Sequence, residues 1–260
     1  MSTFLFDKIV FGPVQSRRLG VSLGINLLPV DCKHCNFDCI YCECGRNSPE
    51  KGKRGVNFPA RQDIYMALER KLSDMLQTGQ LPDAITFAGN GEPTIHPDFS
   101  EIVDDTVSLR NRYAPLSKIS VLTNATMLHR QEIVDALKKT DMPIMKIDSA
   151  LDDTIELMNQ PVKKTPVSER IAQLQSFGSQ CIVQTMFLQG TYCDQPVDNT
   201  TPAELDAWER AVLAIRPAQA MIYTINRDTP TDTLRKISGE TLGKIAARIE
   251  KHGIMVQISE

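Results

Sequence analysis

Short apolar runs alternate with longer amphipathic segments along most of the chain. The runs predict strands over 25–28, 84–88, 119–123, 144–148, 182–188 and 220–225. The segments between them predict helices over 62–77, 99–112, 130–139, 166–177 and 202–215, with a last one over 239–251. In that last helix Leu242, Ile245, Ala246 and Ile249 recur at helical spacing. Helix starts are marked by Asp98 with Glu101 and by Thr201-Pro202-Ala203-Glu204, both with the capping-box pattern, and Pro202 suits a first helical position. Gly79, Gly178 and Gly253 follow helical runs as C-terminal caps do. Six strand–helix units with right-handed crossovers make an α/β fold, a parallel sheet with helices outside. The pattern is compatible with an open sheet and with a closed barrel. It shows no internal repeat, low-complexity tract or linker.

Composition adds a setting. The chain has 260 residues, 42% of them hydrophobic, with a formal net charge of −3, which fits one globular domain with a full core. That charge carries no nucleic-acid footprint. Of the seven cysteines, five lie between residues 32 and 44, and the odd count and clustering argue against a disulfide framework. With no signal peptide and no apolar run of membrane length, they point to the reducing cytoplasm. Charge is uneven, +4 over residues 1–62 and −7 over the rest. Arg46, Lys51, Lys53, Arg54 and Arg61 supply much of the basic excess. They read as a solvated loop or as a docking patch for an acidic electron donor or a phosphate-bearing substrate.

The chemistry concentrates in Cys35-Asn36-Phe37-Asp38-Cys39-Ile40-Tyr41-Cys42, a C-x3-C-x2-C run. Three thiolates on one tight loop can hold three irons of a [4Fe-4S] cluster and leave the fourth open, whereas an electron-transfer cluster takes four thiolates. Zinc is an alternative, since it also takes Cys and His, and Cys32, His34 and Cys44 are close by. Paired zinc knuckles lie about 12–20 residues apart, much farther than Cys35 from Cys39. A ferredoxin-like run is a third reading, but its order of spacings and following Pro are absent.

With Tyr41 before its last cysteine, this run resembles the signature of the radical SAM superfamily. Phe87-Ala88-Gly89-Asn90-Gly91-Glu92-Pro93-Thr94, about fifty residues on, resembles that superfamily's glycine-rich segment after the second strand. The resemblance spans nearly the whole chain and implies a partial (β/α)6 TIM-like barrel over 24–260 with a short N-terminal extension over 1–23. It implies a [4Fe-4S] cluster on Cys35, Cys39 and Cys42, and S-adenosylmethionine (SAM) bound beside Tyr41, Gly89, Asn90, Gly91 and Glu92. Phe11-Gly12-Pro13-Val14-Gln15-Ser16-Arg17-Arg18-Leu19-Gly20 and Gly24-Ile25-Asn26 resemble a subgroup that includes the wyosine (imidazoguanosine) tRNA synthases. Those enzymes carry an auxiliary cluster on well-spaced upstream cysteines, and here Cys32 alone is upstream of Cys35.

In such barrels chemistry gathers at the C-terminal ends of the strands. Thr123 and Asn124 end the third strand and are candidate SAM contacts. Lys146 and Asp148 alternate on the fourth, share one face, and need partners if buried. They resemble a Lys and Asp pair of the glycyl-radical-enzyme activases and are assigned to the SAM carboxylate and ribose. Gln184 is the polar residue of an apolar run and is assigned to SAM or substrate. Ser149 is a weaker candidate, and Arg227 holds a substrate anion or pairs with Asp228. Cys181 and Cys193 read as free thiols and Trp208 as core. The implied activity is reductive cleavage of SAM to a 5′-deoxyadenosyl radical that takes hydrogen from an RNA base or a peptide. It needs an electron donor such as flavodoxin or ferredoxin. Little chain is left to cover the pocket beyond the first ~24 residues and the stretch 190–201, so a macromolecular substrate would close the barrel. The rival functions are a glycyl-radical-enzyme activase, a zinc-stabilised RNA-binding or structural module, and a simple electron carrier.

Overall fold

A half-barrel carries the cysteine loop at one end. The computed structural model describes residues 4–47 and 56–260, and Lys51, Lys53 and Arg54 lie outside the described residues. The main sheet contains β1 (Val10–Ser16), β2 (Gly20–Ile25), β3 (Ala84–Phe87), β4 (Lys118–Thr123), β5 (Met142–Lys146), β6 (Ile182–Met186), β9 (Gln219–Tyr223) and β11 (Met255–Ser259). Its order is β1-β2-β3-β4-β5-β6-β9-β11. From β2 onward the pairing is parallel and follows the chain, as a partial barrel requires.

Helices make the crossovers: α1 (Arg61–Thr78), α2 (Phe99–Tyr113), α3 (Gln131–Lys138), α4 (Asp152–Asn159), α5 (Val167–Gln175), α6 (Pro202–Ile215) and α7 (Gly239–Glu250). Thr201 caps α6 by accepting from the Glu204 amide at 3.4 Å, as its capping box predicts. Asp98 makes no side-chain cap for α2; its own amide bonds His96 Nδ1 at 3.1 Å instead. Gly79 ends α1 in the left-handed conformation.

The first strand lies earlier than its apolar run suggests. Residues 25–28 read as a strand, but β2 ends at Ile25 because Asn26 starts a side-chain turn, accepting from the Leu28 amide at 3.2 Å. β1 joins antiparallel at the sheet edge, with a register break between Phe11 and Val14 around Pro13. A bulge and a proline on an edge strand discourage further pairing. The boundary expected between residues 23 and 24 falls inside β2.

The run 182–188 breaks at Phe187. Beyond it β7 (Leu188–Tyr192) leaves the main sheet and pairs with β8 (Gln195–Asp198) and β10 (Arg235–Lys236). The stretch 190–201 is therefore largely a β-hairpin joined to a second sheet. Helix α4 was not predicted, although Asp152 and Asp153 occupy its first turn and Ile155 and Met158 bury one side.

Strand register separates two faces. Leu23, Ile25, Ile85, Phe87, Ile119, Val121, Met145, Ile147 and Val183 are essentially fully buried in the core that includes Leu68, Phe99, Leu137, Trp208 and Leu242 of the helices. Each such side chain contributes about 1.5–3 kcal/mol of burial. Trp208 is core as expected, with its indole N–H on Thr185 Oγ1 at 2.9 Å. The opposite, inner face carries Ser22, Thr86, Ser120, Lys146, Gln184, Tyr223 and Ser259 in matched register. Its apolar patch is Ile144, Ile182 and Met221, with Leu19 from the β1–β2 turn packed against it.

Candidate functional site

The chain between β2 and α1 folds over the C-terminal ends of the strands, and helix α4 holds it there. The Asp38 amide donates to the Asn159 carbonyl at 2.9 Å, and the Ile40 amide to the Met158 carbonyl at 2.9 Å. These carbonyls lie in the last turn of α4, where a helix has no acceptors' partners of its own. Phe37, Cys39, Ile40 and Tyr41 are buried together with Met158, Met186 and Leu188. Lys33 is also buried, with its ammonium on Asp38 Oδ1 at 2.9 Å and on the Gly45 carbonyl at 3.0 Å. Burial alone would lower its pKa; the charges of Cys42, Asp38 and Cys35 outweigh it and raise it. A cation is thus fixed under the loop.

Cys35, Cys39 and Cys42 face different environments. Cys35 Sγ receives the Phe37 amide at 3.4 Å and Asn124 Nδ2 at 3.6 Å. Cys39 Sγ receives Asn159 Nδ2 at 3.4 Å. Burial raises both thiols, with Glu92 adding to the effect at Cys35. Cys42 goes the other way: a hydrogen bond from Cys44 pulls it down to about 6 against burial, with help from Lys33. Among the described residues no three His, Cys, Asp or Glu side chains are grouped to hold a single metal ion. Cys181 lies in the helix–sheet core and Cys193 is exposed, so they do not join Cys32 and Cys44 in a second thiolate set.

The segment 89–94 locks onto this loop. The His34 amide donates to the Asn90 carbonyl at 2.8 Å and the Glu92 amide to the His34 carbonyl at 3.2 Å. Glycine is required at two positions: a Cβ at Gly91 would stand 1.9 Å from the His34 oxygen, and one at Gly89 2.4 Å from Asn26 Oδ1, both at positive φ. The Asn90 side chain is fully buried and committed to the N-terminal segment, accepting from the Phe6 amide at 2.8 Å and donating to the Pro29 carbonyl at 2.8 Å. Glu92 is buried too. Its Oε1 accepts from the Thr94 amide at 3.1 Å and Thr123 Oγ1 at 2.7 Å, and its Oε2 from the Asn124 amide at 2.6 Å. Burial raises its pKa, and these hydrogen bonds oppose the rise.

Asp148 is the hub of the opposite wall. It accepts from the Tyr41 hydroxyl, from Asn159 Nδ2 at 2.7 Å and from the Met186 amide at 2.9 Å. Lys146 places its ammonium 3.6 Å from Asp148, 3.0 Å from the Tyr41 hydroxyl and 3.4 Å from that of Tyr223. Burial and then the Asp148 charge keep Tyr41 protonated well above the usual phenol range. Ser149 faces away and bonds buried Glu204 at 2.6 Å. Arg227 pairs with Glu43 of the cysteine loop at 2.8 Å, where Asp228 had been expected. Gln184 lies on the inner face beside Lys146.

Sequence reasoning missed Asn159 and Arg170. Arg170, on α5, donates to the Asn124 carbonyl at 3.0 Å and lies over the Phe37 ring at 4.9 Å. Its Nε and Asn159 Oδ1 are buried without a partner. Asn159 ends α4, so recognising that helix would have placed it. Nothing in the sequence around Arg170 sets it apart. Two orphaned polar atoms beside three gathered thiols and a buried cation fit an anionic cluster with a polar ligand.

Known proteins resemble this chain in sequence and in fold. Residues 31–201 match the radical SAM superfamily. The chain is 32% identical over 184 residues to a UPF0026 protein of Methanocaldococcus jannaschii, covering 69% of this chain. It spans 54% of that relative's length and 33% of another curated relative's. A radical SAM methyltransferase from Sphaerobacter thermophilus has the same fold, with a TM-score of 0.67 at 14% identity over 92% of this chain and 65% of its own. A structure of TYW1 with a lysine–pyruvate adduct bound aligns at a TM-score of 0.60 and 10% identity, over 88% of this chain and 73% of its own. The matched span contains both the cysteine loop and the segment that locks it, and the chain belongs to the radical SAM superfamily of enzymes, whose members bind a [4Fe-4S] cluster and SAM.

Proposed function

We propose that Cys35, Cys39 and Cys42 hold three irons of a [4Fe-4S] cluster and that SAM binds its open iron. When bound, the cluster supplies the electron that splits the C5′–S bond of SAM into methionine and a 5′-deoxyadenosyl radical. The observation that carries this reading is that Cys35 neighbours Cys39 and Cys39 neighbours Cys42, each in its own hydrogen-bonding environment, at the mouth of the half-barrel.

The chain's own residues orient and shield. Glu92 Oε2 accepts one protein donor and keeps a lone pair for the SAM ammonium. Arg170 Nε is free for a carboxylate, and Asn159 Oδ1 for a donor. Lys146 and Asp148 complete the polar wall, while Asn124 and Asn159 orient two of the thiols. The backbone at Gly89, Asn90 and Gly91 brings the second motif against the loop; the side chain of Asn90 serves the N-terminal segment. Thr123 supports Glu92, and Gln184 lines the substrate side. The apolar floor excludes water from the reacting atoms.

The substrate side is the inner face, and the hydrogen donor is an RNA base or a peptide. The N-terminal motif Phe11–Gly20, which resembles the wyosine-synthase subgroup, supports the RNA alternative; the likeness to TYW1 carries the fold alone. A small acidic donor such as flavodoxin reduces the cluster, and the cytoplasm suits cysteines that form no disulfide. No helix among the described residues is long and apolar enough to cross a membrane.

Anaerobic reconstitution, followed by dithionite and SAM with detection of 5′-deoxyadenosine, tests the proposal. Wild type should retain iron and form the product, and Cys39→Ala neither. Zinc retained in place of iron, with no product, would sink the reading.

A further inference from the structure

We infer that the half-barrel interior holds a binding site for a carboxylate, built around Arg18, and that the substrate presents its carboxylate there. Five buried polar atoms lack a partner among the described residues, and three of them belong to this interior: Arg18 Nη1, Ser120 Oγ and Ser259 Oγ. Ser120 and Ser259 are 0% and 6% exposed. A buried donor with no acceptor costs about 1–3 kcal/mol. Each such atom calls for an explanation, and a bound ligand supplies one.

Arg18 comes from the turn between β1 and β2, at the floor of the half-barrel. Leu19 beside it packs on Ile144, Ile182 and Met221 of the inner face. Gln257 of β11 donates to the Arg18 carbonyl at 3.3 Å, tying the turn to the far end of the sheet. The guanidinium then lies over the Tyr223 ring, 4.8 Å from its centroid. The same ring is 5.9 Å from the Lys146 ammonium, and Tyr223 is the register partner of Ser259. A continuous polar path therefore runs from Arg18 through Tyr223 and Lys146 to Tyr41 in the cysteine loop. Gln184 faces the same interior next to Lys146, and its amide makes no hydrogen bond with the described residues.

Charge selects the ligand. Asp148 balances Lys146 at 3.6 Å. Arg18 has no acidic partner among the described residues, which leaves one uncompensated positive charge and suits a singly charged anion. Its planar fork matches a carboxylate. Arg17, next in sequence, turns outward and donates to the carbonyl of Glu260. The two adjacent arginines thus separate into a strut and an interior group.

The inference rests on the proposed function only in calling this anion part of a substrate. The test is saturation-transfer NMR of propionate with the full chain, run beside inorganic phosphate and chloride at matched ionic strength. Propionate should show transfer with wild type and with Arg17→Gln, and Arg18→Gln should weaken it about tenfold or more, the worth of one charge-assisted hydrogen-bonded contact. Should Arg18→Gln fail to fold, Arg18→Lys decides, because it keeps the charge and loses the fork: unchanged binding would overturn the site, and weakened binding support it. Transfer no greater than a nonbinding reference, or transfer that survives Arg18→Gln, overturns the proposal. Phosphate binding tighter than propionate overturns the carboxylate assignment. Neither probe involves iron or SAM, so a chain that retains no iron would refute the radical reading without touching this result.

Discussion

The two faces of one sheet differ in kind. The outer face is mostly apolar, from Leu23 and Ile25 through Phe87 and Val121 to Val183, its Thr185 hydroxyl is satisfied by Trp208, and helices cover it. The inner face has charges, hydroxyls and amides at the corresponding register positions. All five orphaned polar atoms of the described residues lie on the inner face or at the mouth above it. Burial on the outer face is therefore fold energy, while burial on the inner face is a constraint the fold tolerates. A surface that is buried yet unsatisfied marks where a ligand belongs more sharply than the size of a cavity does.

The largest expected effect belongs to the outer face. Phe87→Ala removes a fully buried ring that packs edge-to-face on Phe99 at 5.8 Å between centroids. The cost should be about 3–5 kcal/mol in urea denaturation. A loss under about 1 kcal/mol would mean that the outer face is no better packed than the inner one.

Glu92 tests the boundary between the faces. Its carboxylate joins the turn after β3 to the end of β4 through donors from Thr94, Thr123 and Asn124. Glu92→Gln keeps the size but turns an NH2 toward N–H and O–H donors. A loss of about 2–3 kcal/mol is expected, from hydrogen bonds to a charged group. A fully stable Glu92→Gln would show that the residue is free of structural duty and that ligand contact alone explains it.

Farther out, Glu209 on α6 ties α7 to it. Partial burial pushes its carboxyl up, but hydrogen bonds from Lys251, His252 and Arg248 prevail and hold it at about 2, against an ordinary value of 4.5. A depressed carboxyl contributes stability that is complete above its unfolded value and is lost as pH falls through the folded one. Wild type should therefore lose this contribution between about pH 4.5 and 2. Glu209→Gln should cost about 1 kcal/mol at neutral pH, at the upper end for exposed ion pairs, and flatten that limb of the stability–pH curve. An unchanged limb would remove Glu209 from the helix interface.

Much of this organisation was legible in the chain, for a physical reason. The cysteine loop and the segment 89–94 are local, because each must form its geometry within eight residues, and spacing alone reveals them. Helix α6 was placed at 202–215, its observed span, because its cap and first-turn proline are local signals as well. Contacts decided across the fold were not legible. Asn90 reads as a cofactor contact from its motif, yet its side chain is claimed by Phe6, 84 residues earlier. Arg170 reaches Phe37 and Asn159 reaches Cys39 from two separate helices, and Arg18 reaches Tyr223 from a turn at the floor. The shared face of Lys146 and Asp148 was visible on one strand. The matching of Ser120, Gln184, Tyr223 and Ser259 across strands needed the register, which no single segment encodes.

The smallest expected effect is the most discriminating. Ser120 is fully buried on β4, between Thr86 and Met142 in register, and its hydroxyl has no partner. Removing a buried residue's polar atom normally costs stability through a lost hydrogen bond. Here there is none to lose, and Ser120→Ala deletes an unsatisfied group together with little volume. The change should be neutral to stabilising, within about 1 kcal/mol, in the same urea denaturation that costs Phe87→Ala several times more. A loss above about 1 kcal/mol would show that Ser120 is already satisfied in the folded chain and belongs with the outer face as fold energy. A neutral result, with the serine still buried, leaves its hydroxyl with no work to do until something enters the half-barrel.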